Sequence, residues 1–203
     1  MGPCDGGGPA GGDGGGHGGG GIDPQRRRTQ AQTYSQACLD AINKAKQTVA
    51  GLDRAKAAMD LLKQVADKYG FDPALLAAIG IRESNFQNQR QHNGGGRGVF
   101  QLDITRHPEL QAVAENPSRL GEQADYAGQI LAHGTTKYGA YGADLAAAGG
   151  LREYNAGNRH NWSTKKFAKG EGGLNATVAR LDRGTAHNNY VSNVLAIAKN
   201  CFH

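Results

Sequence analysis

Glu83 is the residue in this chain whose setting most favours chemistry. It closes the run LLAAIGIRE, which is apolar almost all round and therefore reads as a helix passing through a core. Burial raises a carboxyl pKa, and the negative end of the helix dipole pushes it the same way. A carboxylic acid that keeps its proton near neutral pH is what glycosidic bond cleavage requires at the leaving oxygen. The competing reading is an ion pair with the adjacent Arg82 or another neighbour. No CxxC or Cys/His spacing of a zinc site occurs, and no metal or organic cofactor is expected.

The elements that must position Glu83 are mostly helical. From about residue 33, Ala37, Ala41, Ile42 and Ala45 recur at helical spacing, and Val49 extends the run. A second segment carries Ala55, Ala58, Met59, Leu62, Val65 and Ala66 and ends near Gly70. Asp72-Pro73 restarts the chain as N-cap and first helical residue of the helix that delivers Glu83. Gly94, Gly95, Gly96 and Gly98, followed by alternating Val99, Gln101 and Asp103, predict a tight hairpin or short sheet. Asn116-Pro117 opens another helix through Leu120, Ala124, Ala127, Ile130 and Leu131. Leu145 to Tyr154 is an alanine-rich buried helix interrupted at Gly149-Gly150. Residues 158–175 read as an inserted loop, and the last helix runs from about His187 to Cys201. The fold class is therefore α+β, predominantly helical, with one small β element.

Composition bounds the rest. Of 203 residues, 32 are glycine, and thirteen of these fall in the first 21 positions. A glycine-rich flexible arm is expected over residues 1–32, with one domain over 33–203. No run approaches the roughly 18 consecutive apolar residues of a membrane span, so no integral membrane segment is expected. Nor does the chain start with a basic stretch and an apolar core, so no secretory signal is visible. The net charge of +5 favours an anionic partner. Aromatic residues do not interleave with a basic stripe, which argues against nucleic acid. The cluster Arg26, Arg27 and Arg28 reads as a solvated linker. Cys38 begins the first helical pattern and Cys201 ends the last. A disulfide joining the ends of the domain and a pair of buried thiols both fit, with Cys4 left in the arm.

Four ordered blocks sharpen the reading. They are Arg82-Glu83-Ser84; Gly98-Val99-Phe100-Gln101-Leu102-Asp103 with Arg106-His107; Tyr154-Asn155-Ala156-Gly157; and Leu181-Asp182-Arg183-Gly184-Thr185-Ala186-His187-Asn188-Asn189-Tyr190. In this order they resemble the goose-type lysozymes, the glycoside hydrolase family that also contains the soluble lytic transglycosylases. The resemblance spans about residues 37–200. It implies a lysozyme-like domain with the small sheet beside an active-site groove, Glu83 as general acid and Ser84 supporting its position. Gln101, Tyr154 and Asn155 would line the sugar-binding groove, and His107 and Tyr190 fall on positions that contact or border the substrate.

Transglycosylases typically continue after the glutamine with apolar residues and proline, whereas this chain has Asp103. Asp103 is therefore the candidate that positions and deprotonates a water in an inverting reaction. Goose-type enzymes usually carry a further aspartate about eleven residues earlier, where this chain has His92 or Asn93. Asp182 is the fallback base, with helix bracing as its plainer role. Trp162 would stack on a sugar ring or anchor its loop. The resemblance implies a secreted, monomeric enzyme whose partner is a polysaccharide, peptidoglycan or chitin. A lytic transglycosylase and a catalytically silent wall-binding module are the competing readings. The aspartate after Gln101 argues against the first and the presence of Glu83 against the second.

Overall fold

The computed structural model of the chain describes residues 33–92, 94–156 and 173–203. The first helix, α1 (Gln36–Lys44), starts where the Ser35 hydroxyl accepts a hydrogen bond from the Cys38 amide at 3.2 Å. It buries Cys38, Ala41 and Ile42. The chain then turns at Ala45–Lys46, Lys46 adopting a φ of 59°. Val49 does not extend α1 as the spacing predicts. It begins α2 (Val49–Ala57), and its side chain is among the exposed ones. The second segment is likewise two helices, because Ala58 leaves helical geometry at φ −95°, ψ 2° before α3 (Met59–Tyr69). Gly70 ends α3 with a φ of 73°, a left-handed stop that glycine adopts without strain.

Helix α4 (Pro73–Ser84) follows the expected design. The Asp72 carboxylate accepts from the Ala74 amide at 2.8 Å, and Pro73 takes the first turn. Every residue from Ala74 to Ile81 is buried, and α2 and α3 pack against the helix. It ends at Asn85, whose φ of 55° lies in the left-handed region.

The β element is a three-stranded antiparallel sheet of β1 (Gln89–Arg90), β2 (Gly96–Gly98) and β3 (Leu102–Asp103), in that order. Gly96 faces Asp103 and Arg97 faces Leu102 across β2 and β3. Val99, Phe100 and Gln101 do not alternate along a strand. They form the turn between β2 and β3, which Gly98 (φ 78°) and Gln101 (φ 49°) make possible. Val99 and Phe100 point into the core, Phe100 meeting the Phe86 ring edge-on at 6.3 Å.

A short helix, α5 (Gln111–Ala114), and a 3-10 turn at Pro117–Arg119 lead into α6 (Leu120–Tyr138). Helix α7 (Ala143–Ala156) is continuous through Gly149-Gly150, contrary to the expected interruption. The two glycines serve packing: a Cβ at Gly134 of α6 would lie 2.6 Å from the Gly150 Cα, so the backbones of α6 and α7 touch. Residues 157–172, most of the expected loop, lie outside the described residues, and its last positions already belong to α8 (Gly173–Asp182). The final helix, α9 (Tyr190–Phe202), starts later than expected because His187 and Asn188 take positive φ values of 58° and 52°. It packs on α4, α1, α7 and α8. Cys38 and Cys201 form a disulfide that ties α1 to α9 across 163 positions. Cys4 and the rest of the expected arm, residues 1–32, lie outside the described residues.

Candidate active site

The turn between β2 and β3 is fixed by three helices. Ser84, at the end of α4, donates to the Val99 carbonyl at 2.7 Å and accepts from the Gln87 amide at 3.0 Å. Gln123 of α6, fully buried, accepts from the Val99 amide at 2.9 Å. Its NH2 group donates to the carbonyls of Val113 and Asn116. Tyr154 of α7 donates its hydroxyl to the Phe100 carbonyl at 2.8 Å. Buried polar groups need such partners, and here each partner also locks a backbone position. The result is a rigid seat for Gln101 and Asp103 beside the end of α4.

Glu83 sits at that end. Tyr190, buried at the start of α9, donates its hydroxyl to Glu83 Oε1 at 2.7 Å. Asn155 of α7 accepts from the Ala186 amide at 2.9 Å through Oδ1 and also hydrogen-bonds the Glu83 carboxyl. Arg82 lies over the Tyr190 ring at 5.6 Å. Desolvation dominates this balance and pushes the Glu83 carboxyl up to about 7, against the opposing pull of Tyr190, Arg82 and Asn155. Asp103 moves the other way. Hydrogen bonds from the Thr105 hydroxyl (2.5 Å) and amide (3.1 Å), together with Arg106 at 3.3 Å, hold it below the usual carboxylate range.

Both carboxyls line one cleft of about 780 Å³. Gln101, His107, Tyr154 and Asn155 line it with them. Gln101 is held by its side-chain NH2, which donates to the carbonyls of Gly98 (2.7 Å) and Gln89 (3.0 Å). The His107 ring meets the edge of Tyr126 at 5.7 Å.

Three expected residues stand elsewhere. Ser84 does not touch the cleft, because its hydroxyl is used up inside the protein. Tyr190 is also outside the lining, since its buried hydroxyl is committed to Glu83. Asp182 is buried away from the cleft. Its carboxylate accepts from the Val191 amide at 2.7 Å and the Ser192 amide at 3.2 Å, which makes it the brace of α9. Trp162 lies outside the described residues, as does Asn93, while His92 is exposed.

Several lining residues escaped sequence reasoning: Tyr126 and Ile130 of α6, Glu153 of α7, and Gln91. Tyr126 and Ile130 are four apart and so share a helix face. That spacing reads equally well as a core stripe, and the only further hint was a tyrosine among alanines. Glu153 precedes Tyr154-Asn155 but lies outside the blocks that carried the resemblance.

Comparison with known proteins points the same way. No protein-family model matches the chain. The chain is similar to Lysozyme G of Dromaius novaehollandiae, 27% identical over 159 residues, which cover 76% of this chain and 69% of that protein. It is similar to Lysozyme g of Casuarius casuarius, 27% identical over 68% of this chain and 69% of that protein. Lysozyme g of Struthio camelus is 29% identical over 76% of this chain and 69% of its own length.

Proposed function

From the premise that this chain is goose-type-lysozyme-like in sequence and α+β in fold, we propose that it is a glycoside hydrolase of N-acetylated amino-sugar polymers. It cuts the β-1,4 bond with Glu83 as general acid and Asp103 as general base. The observation that carries this reading is the contrast between two carboxyls of one cleft. Glu83 is desolvated and raised to about 7, and Asp103 is held low by Thr105 and Arg106. Environments that drive two carboxyls apart assign one as proton donor and the other as proton acceptor.

The steps follow from those roles. Glu83 gives its proton to the glycosidic oxygen as the bond to the anomeric carbon breaks. Water attacks that carbon from the opposite face and passes its proton to Asp103, so the product has the inverted anomer. Tyr190 and Asn155 hold Glu83 aimed at the leaving oxygen. Gln101, His107 and Tyr154 offer polar and aromatic surface to the sugars along the cleft.

The relatives are named lysozymes, which favours peptidoglycan as the polymer, with chitin as the second substrate to test. The proposal takes the enzyme as a monomer, both carboxyls of the cleft coming from one chain. The Cys38–Cys201 disulfide supports an oxidising, extracellular location. No helix among the described residues is long and apolar enough to cross a membrane.

Parallel digests of purified peptidoglycan and chitin oligosaccharides, read by mass spectrometry and by NMR of the new anomer, test this. Fragments carrying one added water and an inverted anomer are expected. Anhydro ends would make the protein a transglycosylase, a retained anomer would remove Asp103 as base, and no fragments would leave a binding module.

A further inference from the structure

Beyond the two carboxyls already assigned, a third lines the same cleft. Glu153 lies one turn beyond Gly150, where the backbones of α6 and α7 touch. Its Oε1 is occupied: Lys137 of α6 pairs with it, and the buried Tyr138 hydroxyl donates to it at 3.1 Å. Its Oε2 is different. It accepts no hydrogen bond among the described residues, and the largely exposed His133 ring comes only to 3.9 Å through Nδ1, beyond hydrogen-bonding distance. The Glu153 side chain is only 12% exposed, so this is not a loose surface carboxylate.

A carboxylate is an acceptor only, and one locked through Oε1 presents Oε2 without the entropic cost of ordering a free side chain. Sugar hydroxyls and acetamido N–H groups are the donors that an amino-sugar polymer would bring into this cleft. We infer that Glu153 is a substrate-positioning residue: its Oε2 accepts a hydrogen bond from a hydroxyl or acetamido N–H of the bound glycan, while Lys137 and Tyr138 hold the carboxylate for that contact. The inference rests on the glycoside hydrolase reading and adds to it a binding contact distinct from the acid and the base.

Binding is the readout, so that chemistry does not enter. In a Glu83→Gln background, the affinities for an N-acetylglucosamine hexamer and for a peptidoglycan-derived tetrasaccharide are measured by calorimetry. Glu153→Ala should weaken binding of whichever glycan binds by about ten-fold or more, the scale of a lost hydrogen bond to a charged group. Glu153→Gln, which keeps an acceptor oxygen, should recover part of that loss. Lys137→Met removes one of the two holds but leaves the acceptor and the Tyr138 hydroxyl that still fixes Oε1, and should lower the melting temperature while changing affinity by less than about three-fold. In the otherwise native enzyme, Glu153→Ala should raise KM far more than it lowers kcat.

Unchanged affinity in Glu153→Ala would overturn the inference. So would Lys137→Met weakening binding as much as Glu153→Ala, since Glu153 would then act only as part of a helix brace. Both results leave the hydrolase reading standing. A folded Glu83→Gln protein that bound neither glycan would instead overturn that reading together with this inference.

Discussion

The Tyr190 hydroxyl lies 2.7 Å from Glu83 Oε1 and joins the first residue of α9 to the last turn of α4 across 107 positions of sequence. As a donor to the carboxylate it favours the ionised form, and Arg82, stacked over the same ring, acts in the same direction. Desolvation still outweighs both. The phenol therefore restrains a carboxyl that burial alone would raise further.

That restraint can be removed. Tyr190→Phe should raise the Glu83 pKa above about 7, moving the alkaline limb of the kcat profile to higher pH, while loss of aim lowers kcat about ten-fold at pH 6. Arg82→Met should move the limb in the same direction. A limb that stayed in place in both variants would show that neither group acts on Glu83.

In the wild type the pH profile should be bell-shaped. Activity falls on the alkaline side near pH 7 as Glu83 loses its proton, and on the acid side as Asp103, held low, gains one. Glu83→Gln should lower kcat by about 100-fold or more.

The same substitution should alter stability in a pH-dependent way. Glu83 has a folded pKa of about 7 against 4.5 for an unshifted glutamate, so its contribution is fully present below about 4.5 and is lost as pH rises through 7. The loss is roughly 3 kcal/mol. Glu83→Gln should therefore match the wild type in melting temperature near pH 4 and exceed it at pH 8, which thermal scans at the two pH values would read.

Asp103 and Asp182 separate by opposite signatures. Asp103→Asn should lower kcat by about 100-fold or more with little change in melting temperature, and the acid limb should disappear. Asp182→Asn should destabilise the fold by about 2 kcal/mol, because two amides at the start of α9 lose a charged acceptor, yet keep its activity per folded molecule. The reverse pattern would transfer the role of base to Asp182.

Reducing the Cys38–Cys201 bond releases a constraint over 163 positions. Chain entropy sets the stabilisation at up to about 5 kcal/mol. Double substitution by serine should lower the melting temperature by well over 5 °C without changing the wild-type KM. The bond lies between α1 and the end of α9, at positions that contribute no residue to the cleft.

The local physics of the central helix was legible because it is written in adjacent residues. Asp72 and Pro73 announce its start, and the unbroken apolar run fixes its burial and the place of Glu83. What sequence hid was set by partners far along the chain. Ala58 leaves helical geometry between α2 and α3, and nothing in its own residue type announces it. Gly149 and Gly150 suggest a break by propensity, but the approach of Gly134 turns them into a packing contact. Val99 and Gln101 alternate as a strand would, but Ser84, Gln123 and Tyr154 hold the segment as a turn. Tyr190 and Asp182 share one sequence block, and only the fold reveals that one touches the acid and the other the helix start.

The contact between Gly134 and Gly150 has a mechanical consequence. With the α6 and α7 backbones touching, Tyr126 and Ile130 on one helix and Tyr154 and Asn155 on the other belong to a single stiff plate. The β2–β3 turn that seats Gln101 and Asp103 is tied to the same plate, because Tyr154 of α7 holds its Phe100 carbonyl and Gln123 of α6 its Val99 amide. Acid and base are thus mounted on one frame, so a long polymer meets a gap whose width is preset rather than one that opens to admit it.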